Sequence, residues 1–150
     1  MARILVMQGD ALEGRQLCAM LRRCGHVVML CRNGSEALVA LDIDPFDLLI
    51  ADMFVRSPDG LSPDGGLLLI SRVRSARRSG NGARTPADVP IIALTGAVRY
   101  PHQEHFINAA RRVGADMVMP KPFPLDHLGA AVDTLLTERT PPADMPRDHP

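Results

Sequence analysis

"PFDLLIADMFVRSPDG", residues 45–60, decides the fold. Leu48, Leu49, Ile50 and Ala51 form an unbroken apolar run, Met53 lies just beyond it, and a lone acid, Asp52, is set between them. A strand exposed on one face alternates apolar and polar residues. One that is apolar at every position is covered on both faces, as in a parallel sheet between two helix layers. Asp52 then stands where such a strand emerges, and in open α/β sheets the functional crevice lies at the carboxyl ends of the strands. The competing reading of the same acid is a turn former that only stops the strand.

Strand-like and helix-like segments alternate on either side of this run. Residues 4–7 read as a short strand. After Gln8-Gly9-Asp10, the apolar positions Leu17, Met20, Leu21 and Cys24 recur at helical spacing, with Asp10 a candidate cap. Residues 27–31 read as a second strand closed by Asn33-Gly34, and a helix capped by Ser35 follows to near Leu41. Beyond the central strand, Leu68, Leu69, Val73 and Ala76 predict a helix over 66–77 with a basic outer face, and residues 79–88 read as a long mobile loop. "PIIALT" (90–95) is a fourth strand, residues 103–113 a helix broken by Gly114, and residues 117–119 a fifth strand. The last helix runs from Pro124 or Leu125 to Leu136, with proline tolerated in its first turn.

Five βα units predict an α/β, doubly wound, five-stranded parallel sheet of order 2-1-3-4-5 with helices on both faces. The expected domain covers residues 1–138, and the tail 139–150, which includes "PPADMPRDHP", has a disordered composition.

A chain of 150 residues suits one core and one site. The 17 basic and 17 acidic residues cancel, so bulk charge offers no field to draw nucleic acid or an anionic membrane surface. No apolar run approaches the roughly 20 residues of a membrane span, and the apolar start is too short for a signal peptide, so a cytoplasmic protein is expected. Cys18, Cys24 and Cys31 are odd in number and lack CxxC spacing, against a disulfide framework or a zinc site. Cys18 and Cys24 read as small buried or half-buried hydrophobes. His102 and His105 with Glu104 supply too few ligands for zinc. Arg72, Arg74, Arg77, Arg78 and Arg84 read as a solvated basic face, with neither the aromatics nor the reader motif of a nucleic-acid surface. Gly65-Gly66 lacks the rest of a nucleotide-binding pattern.

Three strands finish on a chemically useful side chain: Asp52, Thr95 and Lys121. Neighbouring parallel strands lie about 4.8 Å apart, so a carboxylate, a hydroxyl and an ammonium can converge on one ligand. That set suits phosphoryl chemistry, with the carboxylate as nucleophile and the other two as binders of phosphoryl oxygens.

In order along the chain, "ILVMQGD", "DLLIAD", "PIIALTGA" and "GADMVMPKPF" resemble the receiver domains of two-component response regulators over residues 2–137. The resemblance implies the flavodoxin-like fold and no enzyme of its own. Asp52 is then the phosphoacceptor, Thr95 and Lys121 bind the phosphoryl group, and the Lys121–Pro122 peptide is cis. It also implies a histidine kinase or phosphotransfer protein as donor and a downstream protein partner, leaving a homodimer open. The output domain of a multidomain regulator is not expected within these residues.

The chain departs from that family at three places. Where the family has two acids after its first strand to hold a divalent cation, Gln8 and Gly9 stand. Magnesium demands hard oxygen ligands in near-octahedral geometry, so its binding is expected to be weak or absent and phosphorylation slow, calling for unusually high magnesium. The remaining candidate ligands are Asp52, the Phe54 backbone carbonyl, and Asp10, either facing the site at the end of an extended strand or occupied as a helix cap. Val118 replaces the ring-bearing residue that rotates in the family's switch, and valine is too small and stiff at χ1 to do so. The loop after Asp52 is long and carries Arg56, which either pairs with Asp52 or a phosphoryl oxygen or is solvated. The alternative function is therefore a degenerate receiver, a phosphorylation-independent protein–protein interaction module.

Overall fold

The computed structural model describes residues 1–53, 55–57, 60–62, 65–75, 83–95 and 103–139. In chain order the elements are β1 (Arg3–Met7), α1 (Ala11–Arg23), β2 (Val27–Cys31), α2 (Gly34–Ile43), β3 (Leu48–Asp52), β4 (Val55–Ser57), β5 (Gly60–Ser62), α3 (Gly66–Arg74), β6 (Ile91–Thr95), α4 (Gln103–Val113), β7 (Met117–Pro120) and α5 (Leu125–Arg139). Five strands form one sheet, β2-β1-β3-β6-β7, every pairing parallel. With the β4–β5 hairpin set aside, this is the expected 2-1-3-4-5 order.

The unbroken apolar run works as anticipated because its side chains part by period two. Leu49 and Ala51, with Leu5 and Met7 of β1 and Ile91 and Ala93 of β6, pack on Leu41 of α2, Ile70 and Val73 of α3 and Ala110 of α4. Leu48 and Ile50, with Ile4, Val6, Ile92 and Leu94, pack on Leu17 and Leu21 of α1 and Leu128 and Val132 of α5. All five residues of β3 are buried. The sheet is therefore covered on both faces, which leaves its strand ends as the places where polar groups can meet.

Several boundaries differ from the sequence expectation. Asn33, not Ser35, caps α2, its side chain accepting from the Glu36 N–H, while Glu36 accepts from the Arg32 N–H at 3.0 Å. α3 stops at Arg74, short of 77, and α5 runs on to Arg139, past 136. Residues 140–150, the rest of the expected disordered tail, lie outside the described residues. The segment read as a loop after Asp52 contains an antiparallel pair, β4 with β5, in which Arg56 stands opposite Leu61.

The amino-terminal ends of the strands are closed by two polar side chains that the sequence reading did not single out for this. Arg74, at the end of α3, donates to the carbonyls of Gly114, Ala87 and Val89 and pairs with Asp116 at 2.9 Å. It is thus a structural clasp and not part of a solvated basic face, whereas Arg72 and Arg84 are exposed. Gly114 makes the clasp feasible: its φ of +121° suits only glycine, and a Cβ there would lie 2.6 Å from Arg74 Cγ. Thr85 is fully buried, its hydroxyl donating to the Asp44 carbonyl at 2.7 Å and accepting from the Phe46 N–H at 2.9 Å. Its backbone N–H also donates to the Leu41 carbonyl, so the described part of the expected mobile loop, from residue 83 onward, is pinned to the end of α2. Cys18 and Cys31 are buried but Cys24 is exposed, correcting its reading as a buried or half-buried hydrophobe, and all three thiols are free.

Candidate functional site

β3 delivers Asp52 to the carboxyl end of the sheet at 5% exposure. By strand parity it follows Leu48 and Ile50 onto the side of α1 and α5, and Gln8 follows Ile4 and Val6 onto that same side. On the other side, the first turn of α3 rests directly on the Asp52 backbone: a Cβ at Gly66 would lie 2.4 Å from the Asp52 carbonyl oxygen and 3.0 Å from Met53 Cα. Only glycine permits that approach. The sequence reading noted Gly65-Gly66 for what it lacks; its role is to seat a helix beside the acid.

Lys121 directly follows β7, with its backbone N–H donating to the Thr95 carbonyl, and the Lys121–Pro122 peptide after it is cis. Its ammonium donates to Asp52 Oδ2 at 3.0 Å and to Glu13 Oε2 at 2.6 Å. Burial by itself pulls the ammonium's pKa down. The charge of Asp52, hydrogen bonds to Glu13 and Asp52 and the charge of Glu13 outweigh it and hold Lys121 above the usual lysine range. Asp52 and Lys121 are therefore brought together as the strand-end pattern anticipated. Thr95, on β6 between them in sheet order, is 1% exposed, and its hydroxyl has no hydrogen-bond partner among the described residues.

Glu13 is the site residue that sequence reasoning missed. Asp10 caps α1, its Oδ1 accepting from the Glu13 N–H at 2.9 Å, so Glu13 sits where a capping-box glutamate would turn back to the cap's own N–H. That N–H is already taken by Gln8 Oε1 at 3.1 Å, and Gln8 Nε2 donates to Glu13 Oε2 at 2.5 Å. Gln8, at 3% exposure, thus replaces the glutamate at the cap and holds it toward Lys121. The Asp10-to-Glu13 spacing signals the cap; nothing in it signals a lysine 108 positions away.

Of the two readings of Asp10, the chain takes the cap: β1 ends at Met7 and Asp10 is exposed. Val118 pairs with Ala93 and packs half-buried against the core on the α3 and α4 side. Phe54, His102 and the side chains of Arg56, Glu104 and His105 lie outside the described residues.

The described residues do not fit the divalent cation implied by the resemblance. Both amide atoms of Gln8 are engaged, Asp10 caps a helix, and an ammonium already stands between the Asp52 and Glu13 carboxylates. Among the described residues no group of three or more His, Cys, Asp or Glu side chains is placed to hold a metal. Chemically, the arrangement is a buried carboxylate, a cation on it, and a buried hydroxyl one strand away with no partner among the described residues.

No family model matches the chain. Its sequence is 33% identical to the transcriptional activator protein PfeR of Pseudomonas aeruginosa over 134 residues, covering 89% of this chain and 37% of that protein. It is 31% identical to the response regulator MprA of Mycolicibacterium vanbaalenii over 139 residues, 93% of this chain and 52% of the relative. The chain thus spans about a third to a half of the curated relatives it matches. Among solved structures, a putative response regulator from Chloroflexus aurantiacus superposes with a TM-score of 0.73 at 26% identity, over 91% of this chain and 98% of that one. The Francisella response regulator 1452 receiver domain shares the fold, with a TM-score of 0.74 at 18% identity over 93% and 100% of the two chains.

Proposed function

The chain belongs to the receiver domains of two-component response regulators, and from that premise we propose that it accepts a phosphoryl group on Asp52. The observation that carries the reading is the strand-end set: Asp52 buried, the Lys121 ammonium 3.0 Å from it, and the Thr95 hydroxyl buried without a partner among the described residues. A phosphoryl group on Asp52 would offer Thr95 an acceptor, and Lys121 would balance part of its charge. The donor would be a histidine kinase or phosphotransfer protein, and the signal would pass to a downstream protein by contact. No helix among the described residues is long and apolar enough to cross a membrane, and the proposed setting is the cytoplasm.

A second reading, a phosphorylation-independent interaction module, is favoured by one observation. Glu13 and Asp52 share Lys121, so the unmodified acid is already matched.

Intact mass after incubation with acetyl phosphate across a magnesium series, with Asp52→Asn as control, separates the two. The expected result is a slow phosphoryl mass gain, absent in Asp52→Asn and changing little with magnesium, since the described residues offer no site for the ion. No gain in a chain that melts cooperatively would favour the interaction module. A gain that climbs steeply with magnesium would overturn the ligand assessment above.

A further inference from the structure

We propose that Glu13 is a brake on phosphoryl acceptance at Asp52, held in place by Gln8. The inference rests on Asp52 being the phosphoacceptor and assigns roles to two residues outside the strand-end set.

Three observations lead there. Glu13 Oε2 is closer to the Lys121 ammonium than Asp52 is, at 2.6 Å against 3.0 Å. The same oxygen accepts from Gln8 Nε2, a side chain buried at 3% exposure, so the carboxylate is fixed and not a passing surface partner. Finally, one ammonium serves two carboxylates, so the charge Lys121 offers Asp52 is divided with Glu13 before any phosphoryl group arrives.

Transfer raises the demand on that shared ammonium. An Asp52 carboxylate oxygen forms a bond to phosphorus as the bridging phosphorus–oxygen bond of an acyl phosphate breaks. The donor's carboxylate leaves with the electron pair, and no proton or redox partner is needed. The aspartyl phosphate carries more negative charge than the carboxylate it replaces, and the incoming donor is itself an anion. Glu13 opposes both, by repelling them and by drawing on the ammonium that would otherwise serve the phosphoryl oxygens. In a site where a divalent cation supplied the balance, such a carboxylate would matter little. Here Gln8 stands at one of the family's acid positions, and Lys121, a cation on Asp52, is shared with Glu13. Glu13 is accordingly a positioning residue acting through Lys121.

The test is the initial rate of mass gain on acetyl phosphate for the native chain, Glu13→Gln, Glu13→Asp and Asp52→Asn, at low and high potassium chloride. Glu13→Gln keeps the shape and an amide oxygen for Lys121 while removing the charge. It is expected to label roughly tenfold faster than the native chain at low salt, with a smaller gap at high salt. Glu13→Asp, which keeps the charge, should stay near the native rate. A purely structural Glu13 would give unchanged or slower labelling in Glu13→Gln. If the native chain labels on Asp52 and Glu13→Gln is no faster, the brake is overturned and the phosphoacceptor reading stands. If Glu13→Asp speeds up as much as Glu13→Gln, charge is not the cause and the brake is likewise overturned. If no variant labels although all melt cooperatively, both fall together.

Discussion

At the amino ends of the strands, Arg74 directs its guanidinium onto three backbone carbonyls and Asp116, and the Thr85 hydroxyl both donates and accepts. At the carboxyl ends, Lys121 is matched only by two other side chains that the described contacts show, and the equally buried Thr95 hydroxyl has no partner among the described residues. Both ends bury polar groups against the same apolar sheet, so the difference is not one of exposure. Backbone carbonyls are fixed acceptors and make a permanent clasp. Side-chain partners can be exchanged, and an unmatched buried hydroxyl is a cost that a ligand or modification would remove. One end is arranged for stability and the other for a change of state.

The sharpest way to break that contrast is Arg74→Leu. Removing the guanidinium strands three carbonyls and takes the cation from Asp116, which still accepts from the Ile91 N–H at 2.8 Å, and the expected loss is about 3 kcal/mol, read as a lower urea midpoint at unchanged slope. A loss within the scatter of surface substitutions would mean the clasp is incidental. Next come two chemically identical substitutions of nearly the same shape. Thr85→Val deletes a hydroxyl that donates and accepts, and should cost about 2 kcal/mol. Thr95→Val deletes one without a described partner, and should stabilise by about 1.5 kcal/mol. The opposite signs are what the comparison requires, and equal signs in the same urea titration would end it.

These residues also show how far the sequence could be read. The run 48–51 disclosed a doubly covered strand because period-two packing is a local property, and Asp52, Thr95 and Lys121 were visible because each follows such a run. Three-residue strands have too little length for a period, and Pro58 inside "SPDG" reads as a turn, so β4 and β5 were not legible. Arg74 sat in a basic run and Thr85 in a polar loop. What buries them comes from Gly114 and Asp44, about 40 positions away, where no local pattern reaches. Glu13 was hidden differently: its spacing from Asp10 announces a capping box, and only Gln8, by taking the cap's N–H, redirects it into the site.

The smallest expected effect concerns alkaline pH, where the carboxyl end contains two titrating groups with separable windows. Burial first, and the Glu36 charge second, push the Cys31 thiol at the end of β2 from 9.0 up to about 11. The fold therefore favours the protonated thiol, so its contribution is fully present below pH 9.0 and is lost as pH rises toward 11. Lys121 is also raised, and its contribution is full below its ordinary value of 10.5 and is lost only as pH passes through the higher folded value. At pH 10 the drop in stability should thus be about 1 kcal/mol from Cys31, with the Lys121 triad still charged. Cys18 is raised as well, by burial opposed by Arg22, so the comparison is made against Cys31→Ala in the same background. Cys31→Ala should flatten the decline between pH 9 and 10 while leaving the steeper loss beyond 10.5. Glu13→Gln should do the reverse, shrinking the later loss because Lys121 without that anion is raised less above its unfolded value. If Glu13→Gln instead changes the earlier decline and spares the later one, the ammonium is not held by that carboxylate, and the carboxyl end would be as static as the amino end.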